Sequence, residues 1–127
     1  MEVLHLTHGG GNMCMAMLQL AERRQGNHMY STKQYDAALQ HYVRAKSIVD
    51  IISGMASSDQ HEIDENRAAV CLNMAAVHLA RQHFADAAKC CTDALQSSSC
   101  SVKAYLRRAN AYIGLHEYQV GKVCSHV

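Results

Sequence analysis

Two pairs of cationic and amide side chains stand at the same interval, Arg23 with Asn27 in ERRQGN and Lys103 with Arg107 in KAYLRRA. On a helix, residues four apart share a face, so each pair aims its hydrogen-bond donors in one direction. Asn73, in CLNMAA, adds an amide to a stretch that is otherwise apolar. Amide and cationic donors of this kind can hold carboxylates through charge-assisted hydrogen bonds. Taken singly, each has an ordinary explanation. A basic pair on a helix is commonly a solvated face, and a mid-helix asparagine can bond a neighbouring backbone.

The other reactive side chains form no comparable pattern. The six cysteines, Cys14, Cys71, Cys90, Cys91, Cys100 and Cys124, contain no CxxC pair. Most stand where a helix needs a small core residue, which makes them buried reduced thiols. Among the nine histidines, His28, His41, His78, His83 and His116 make no HxxxH or HExxH pair, so no metal and no other cofactor is expected. No base or oxyanion donor is indicated beside Cys90, Cys91 or Cys124, and the chain reads as a protein without catalytic activity. Asp59, Glu62, Asp64 and Glu65 fall in the first turns of a helix, where negative charge complements the dipole. KAYLRRA lacks a wider basic patch, and a net charge of +1 gives no general attraction to nucleic acid or anionic lipid.

The elements that position these residues are helices. With 49% hydrophobic and 18% charged residues, no proline, no tryptophan and one phenylalanine, the chain has few helix breakers and little material for strands. At 127 residues it makes one compact domain, all α. Residues 1–12, with HGGGN, read as a flexible leader, and 13–127 as the domain. Helix one runs from about Met13 to Tyr30 with Asn12 as N-cap. Helix two carries the stripe Tyr35, Ala38, Leu39, Tyr42, Ala45, Ile48, Val49 and Ile52. SGMASSDQ is the clear break, with Asp59 capping helix three, which extends to about Gln82. Helix four covers Phe84 to Gln96, helix five Val102 to Leu115, and a sixth helix begins near Glu117. No apolar run reaches the roughly 18 residues of a membrane span, and MEVLHLTHGG lacks the marks of a signal peptide. A cytoplasmic location is expected, with a nuclear one also open.

Phe84 in HFADAA and Tyr118 in EYQVGK are 34 residues apart, the period of a helical-pair solenoid. The small and large positions keep register: Gly26, Tyr35, Ala38, Tyr42 and Ala45; then Ala75, Phe84, Ala87, Cys91 and Ala94; then Ala109, Tyr118 and Gly121. The chain therefore resembles the tetratricopeptide repeat family, whose units are antiparallel helix pairs wound into a right-handed superhelix with a concave groove. It would hold about three pairs, the third incomplete. Tyr35 and Phe84 are separated by 49 residues, 15 more than the repeat, so helices two and three are lengthened around residues 46–66. That lengthening resembles the repeat domains of FKBP-type and cyclophilin-type immunophilins and of aryl-hydrocarbon-receptor-interacting proteins.

Within this family, a co-chaperone class binds the C-terminal tails of heat shock protein 90 and heat shock protein 70 through a two-carboxylate clamp. The resemblance places the clamp at Arg23, Asn27, Asn73, Lys103 and Arg107, with arginine at Arg23 where the family usually has lysine. It implies that Arg23, Asn27 and Asn73 hold the terminal main-chain carboxylate, Lys103 the aspartate side chain and Arg107 the preceding residues. Arg108 points about 100° away from Arg107 and is expected to be exposed and dispensable. The rival expectation is a scaffold that binds another partner through apolar groove residues such as Met17, Tyr30 or Met74. The solenoid's last apolar face would also be uncovered, which suggests a fragment, a truncated form, or self-association through the C-terminal helix.

Overall fold

The computed structural model describes residues 11–55 and 59–124, with side chains for 13–55 and 59–119. Five helices follow one another: α1 (Gly11–Ser31), α2 (Tyr35–Ser53), α3 (Gln60–Ala80), α4 (Phe84–Ser97) and α5 (Val102–Cys124). The leader expected over residues 1–12 lies outside the described residues except for Gly11 and Asn12. Those two belong to α1, so Asn12 is inside the helix and is not its cap.

Local chemistry accounts for most of the boundaries. The Asp59 side chain accepts from the His61 backbone N–H at 3.0 Å, so α3 starts with one of its orphan donors satisfied. Both turns within the repeats close alike. Lys33 and Gln82 take left-handed backbone conformations, with φ of 63° and 60°. The next residue then donates back across the turn, Gln34 N–H to Met29 O and His83 N–H to His78 O, each at 2.8 Å. These turns sit 49 positions apart, the separation of Tyr35 and Phe84.

The expected break between a fifth and a sixth helix does not form: α5 is continuous through Cys124. The segment Leu115–His116–Glu117 offers no proline, glycine or capping residue to stop it. Gly114, just before, is buried inside the helix, and the Phe84 ring occupies the space a side chain there would take. Ala109, aligned with Gly26 and Ala75, is exposed; Ala111 and Gly114 turn inward instead.

Each helix packs on its sequence neighbours, and α1 with α3 and α3 with α5 also touch, whereas α2 and α4 do not among the described residues. The odd-numbered helices are thus the closer-set row, which puts them on the inner side of the curve. The core is a chain of small clusters. Ala38, Tyr42, Ala45, Val70 and Val77 join α2 to α3, with Met29 of α1 against them. Cys71, Leu72, Ala94 and Ala104 link α3, α4 and α5. Alanine at so many buried sites lets the helices approach closely.

Candidate functional site

Tyr42 is the centre of the site. Its ring is 2% exposed and lies against Gly26, where an added Cβ would stand 2.5 Å from the ring. Only glycine at that point lets α1 sit this close to α2. The packing fixes the phenol tip, whose O–H donates to Asn27 Oδ1 at 2.5 Å. The Asn73 amide on α3 donates to the same oxygen at 3.4 Å. With Oδ1 engaged twice, both protons of the Asn27 amide nitrogen remain for a ligand.

The cations stand around the same phenol. Arg23, one turn before Asn27 on α1, and Arg107 on α5 both pull the Tyr42 pKa down, yet burial, aided by Tyr30, outweighs them and pushes it up to about 12. Arg107 Nη1 donates to the Leu72 carbonyl at 2.6 Å, which pins it beside Asn73 and leaves the rest of its five donors unused by that bond. Arg23 is half-buried, and desolvation lowers its pKa. Its Nε is buried without a hydrogen-bond partner. Lys103 is exposed, one turn before Arg107. Among the described residues, no carboxylate pairs with Arg23, Lys103 or Arg107.

The structure therefore brings Arg23, Asn27, Asn73 and Arg107 together and leaves Lys103 on the same helix as Arg107 with its ammonium in solvent. Two residues of the site escape a reading by sequence. Tyr42 reads as one more apolar position of a stripe, although a tyrosine's hydroxyl is a polar handle that needs a partner when buried. Gln19, one turn before Arg23, is 2% exposed and its Nε2 has no partner. It borders a cavity of about 210 Å³ between α1 and α3, along with Met17, Leu20, Arg23, Glu62 and Asn66. Arg108 is not the free surface residue expected. It is half-buried, its Nη1 lies 3.4 Å from Thr92 Oγ1, and its guanidinium stands 5.5 Å and 6.0 Å from the Tyr105 and Tyr112 ring centroids. The 100° step from Arg107 turned it toward α4 and those rings.

No family model matches the chain. Over 101 residues it is 35% identical to human mitochondrial import receptor subunit TOM34, an alignment covering 80% of this chain and 30% of that protein. Mouse peptidyl-prolyl cis-trans isomerase FKBP4 is 25% identical over 100 residues, 79% of this chain and 22% of FKBP4. The chain thus spans under a third of the length of these relatives. The solved Arabidopsis OM64 TPR domain superposes with a TM-score of 0.64 at 27% identity, covering 83% of this chain and 74% of that one. This chain is a tetratricopeptide repeat domain. Such a domain is a protein–protein interaction module, and in this chain α2 and α3, of 19 and 21 residues, are longer than the 14-residue α4. No helix among the described residues is long and apolar enough to cross a membrane.

Proposed function

We propose that this repeat domain binds the acidic C-terminal tail of heat shock protein 90, heat shock protein 70 or both, through a two-carboxylate clamp. The observation that carries the reading is the convergence of Arg23, Asn27, Asn73 and Arg107 around Tyr42, with no carboxylate among the described residues in an ion pair with either arginine. Four donor groups from three helices, two of them cationic, make a cluster that suits an anion. A peptide ending in aspartate presents two carboxylates within a few ångströms. The terminal main-chain carboxylate suits Arg23 and the amides of Asn27 and Asn73. Lys103, one turn from Arg107, reaches the aspartate side chain, and Arg107 the residues before it.

The magnitudes suit a reversible adaptor. Each charged hydrogen bond contributes on the order of 1.5–3 kcal/mol, part of which is offset by ordering the tail. The net is about −8 kcal/mol, a micromolar complex. The test is a fluorescence titration with a labelled peptide ending in MEEVD, beside its C-terminal amide and the Lys103→Ala variant. Micromolar binding to the free acid, lost with the amide and weakened roughly tenfold or more in the variant, is expected. Equal binding of acid and amide would instead support a scaffold with an apolar groove, for which Met17 and Tyr30 are exposed.

A further inference from the structure

The turn between α3 and α4 gathers three metal-ligating side chains that play no part in the clamp. Its geometry follows from the backbone. Gln82 adopts the left-handed conformation, and the His83 N–H reaches back to the His78 carbonyl at 2.8 Å. A helix end closed in this way brings the side chains of those two positions into contact, most often as an apolar pair. The equivalent turn of the first repeat has Met29 and Gln34 there. Here both are imidazoles, with ring centroids 6.2 Å apart. Asp86, three residues into the first turn of α4, lies beside His83, and one ligand atom from each of the three stands within 4.8 Å of the others.

We propose that His78, His83 and Asp86 form a three-ligand site for a borderline divalent cation, zinc foremost. Imidazole nitrogens with one carboxylate are a donor set that suits zinc, at bonds of about 2.0–2.2 Å, with a fourth position left to water. His83 and Asp86 are exposed, so side-chain rotation can draw their ligand atoms inward, while the half-buried His78 is the fixed member. His78 also has a ring nitrogen, Nδ1, that is buried with no hydrogen-bond partner. Helix-spacing motifs miss this set because its intervals, five and then three residues, run across a turn.

The test is a calorimetric titration of the chelator-stripped full chain with zinc chloride, repeated with His83→Ala and Asp86→Asn. Both substituted residues are exposed, and circular dichroism would verify that the variants stay helical. One equivalent of zinc is expected, with affinity weakened roughly tenfold or more in each variant. Cobalt in place of zinc should give visible ligand-field bands without thiolate charge-transfer absorption. Absence of zinc uptake by the folded chain, uptake unchanged in both variants, or a thiolate signal showing that the cysteines hold the metal would each overturn the proposal.

Discussion

At the scale of residues, one hydroxyl separates packing from binding. Tyr42 fills the space over Gly26 as an apolar ring and also orients Asn27 through its O–H. Tyr42→Phe keeps the first role and deletes the second. A hydrogen bond of this kind contributes about 1 kcal/mol net, so we expect a drop of a few degrees in Tm. If the Asn27 amide is then free to turn its oxygen toward the ligand, affinity for a free-acid tail should fall about fivefold or more. An unchanged titration, with the fold intact, would mean that Tyr42 only packs. Arg23, Asn27, Asn73, Lys103 and Arg107 could be singled out in the sequence because the resemblance to the repeat family marks their positions; charge and spacing alone left each with an ordinary explanation. Tyr42 was not, since its ring satisfies the apolar pattern and hides the polar tip. Arg108 shows the converse error. A position one residue off the site face looked free, but it packs on Thr92, Tyr105 and Tyr112.

At the scale of elements, glycines separate helix propensity from packing. Gly26 and Gly54 both occupy right-handed backbone at or in a helix, where alanine would ordinarily be favoured by up to about 1 kcal/mol. Beyond Gly54 an added Cβ meets only the Ile51 carbonyl at 3.5 Å, an ordinary contact. At Gly26 it meets the Tyr42 ring at 2.5 Å, so α1 must lift from α2 or the ring must leave its place. Overpacking of this sort costs about 1–3 kcal/mol and outweighs the propensity gain. Urea unfolding should therefore show Gly26→Ala destabilised and Gly54→Ala unchanged or slightly more stable; equal effects would refute the close-approach account. The Gly26 constraint was readable, because a glycine inside a strong helical stripe has few other reasons to be there. The end of the fifth helix was not. Tyr118 matched Phe84 in period, but a turn needs its own residues, and none stand between Gly114 and Tyr118.

At the scale of the whole molecule, the repeat architecture was legible because each unit buries the same small and large positions against its neighbour. Its core is made of small alanine-rich clusters, and the tyrosine and cysteines buried with them, Tyr42, Cys71 and Cys91, give the fold a distinct response to alkali. Burial is the largest cause pushing Cys90 up to about 12 from 9.0, reinforced by the neighbouring Cys71 and Asp93. The thiols of Cys71 and Cys91 are raised by burial as well, and Tyr42 moves from 10.0 to about 12. Each group is harder to ionise in the folded chain than in the unfolded one. Their contribution to stability is therefore complete below about pH 9 and is lost as pH rises toward 12. The phenol alone accounts for at most about 3 kcal/mol of that loss. Melting curves in reducing buffer should show a level Tm up to about pH 9, then a steep fall. Tyr42→Phe should start from a lower Tm and fall less steeply above pH 10, because the group that would ionise on unfolding is gone. A variant curve parallel to that of the parent chain through this range would place the alkaline sensitivity in the cysteines alone.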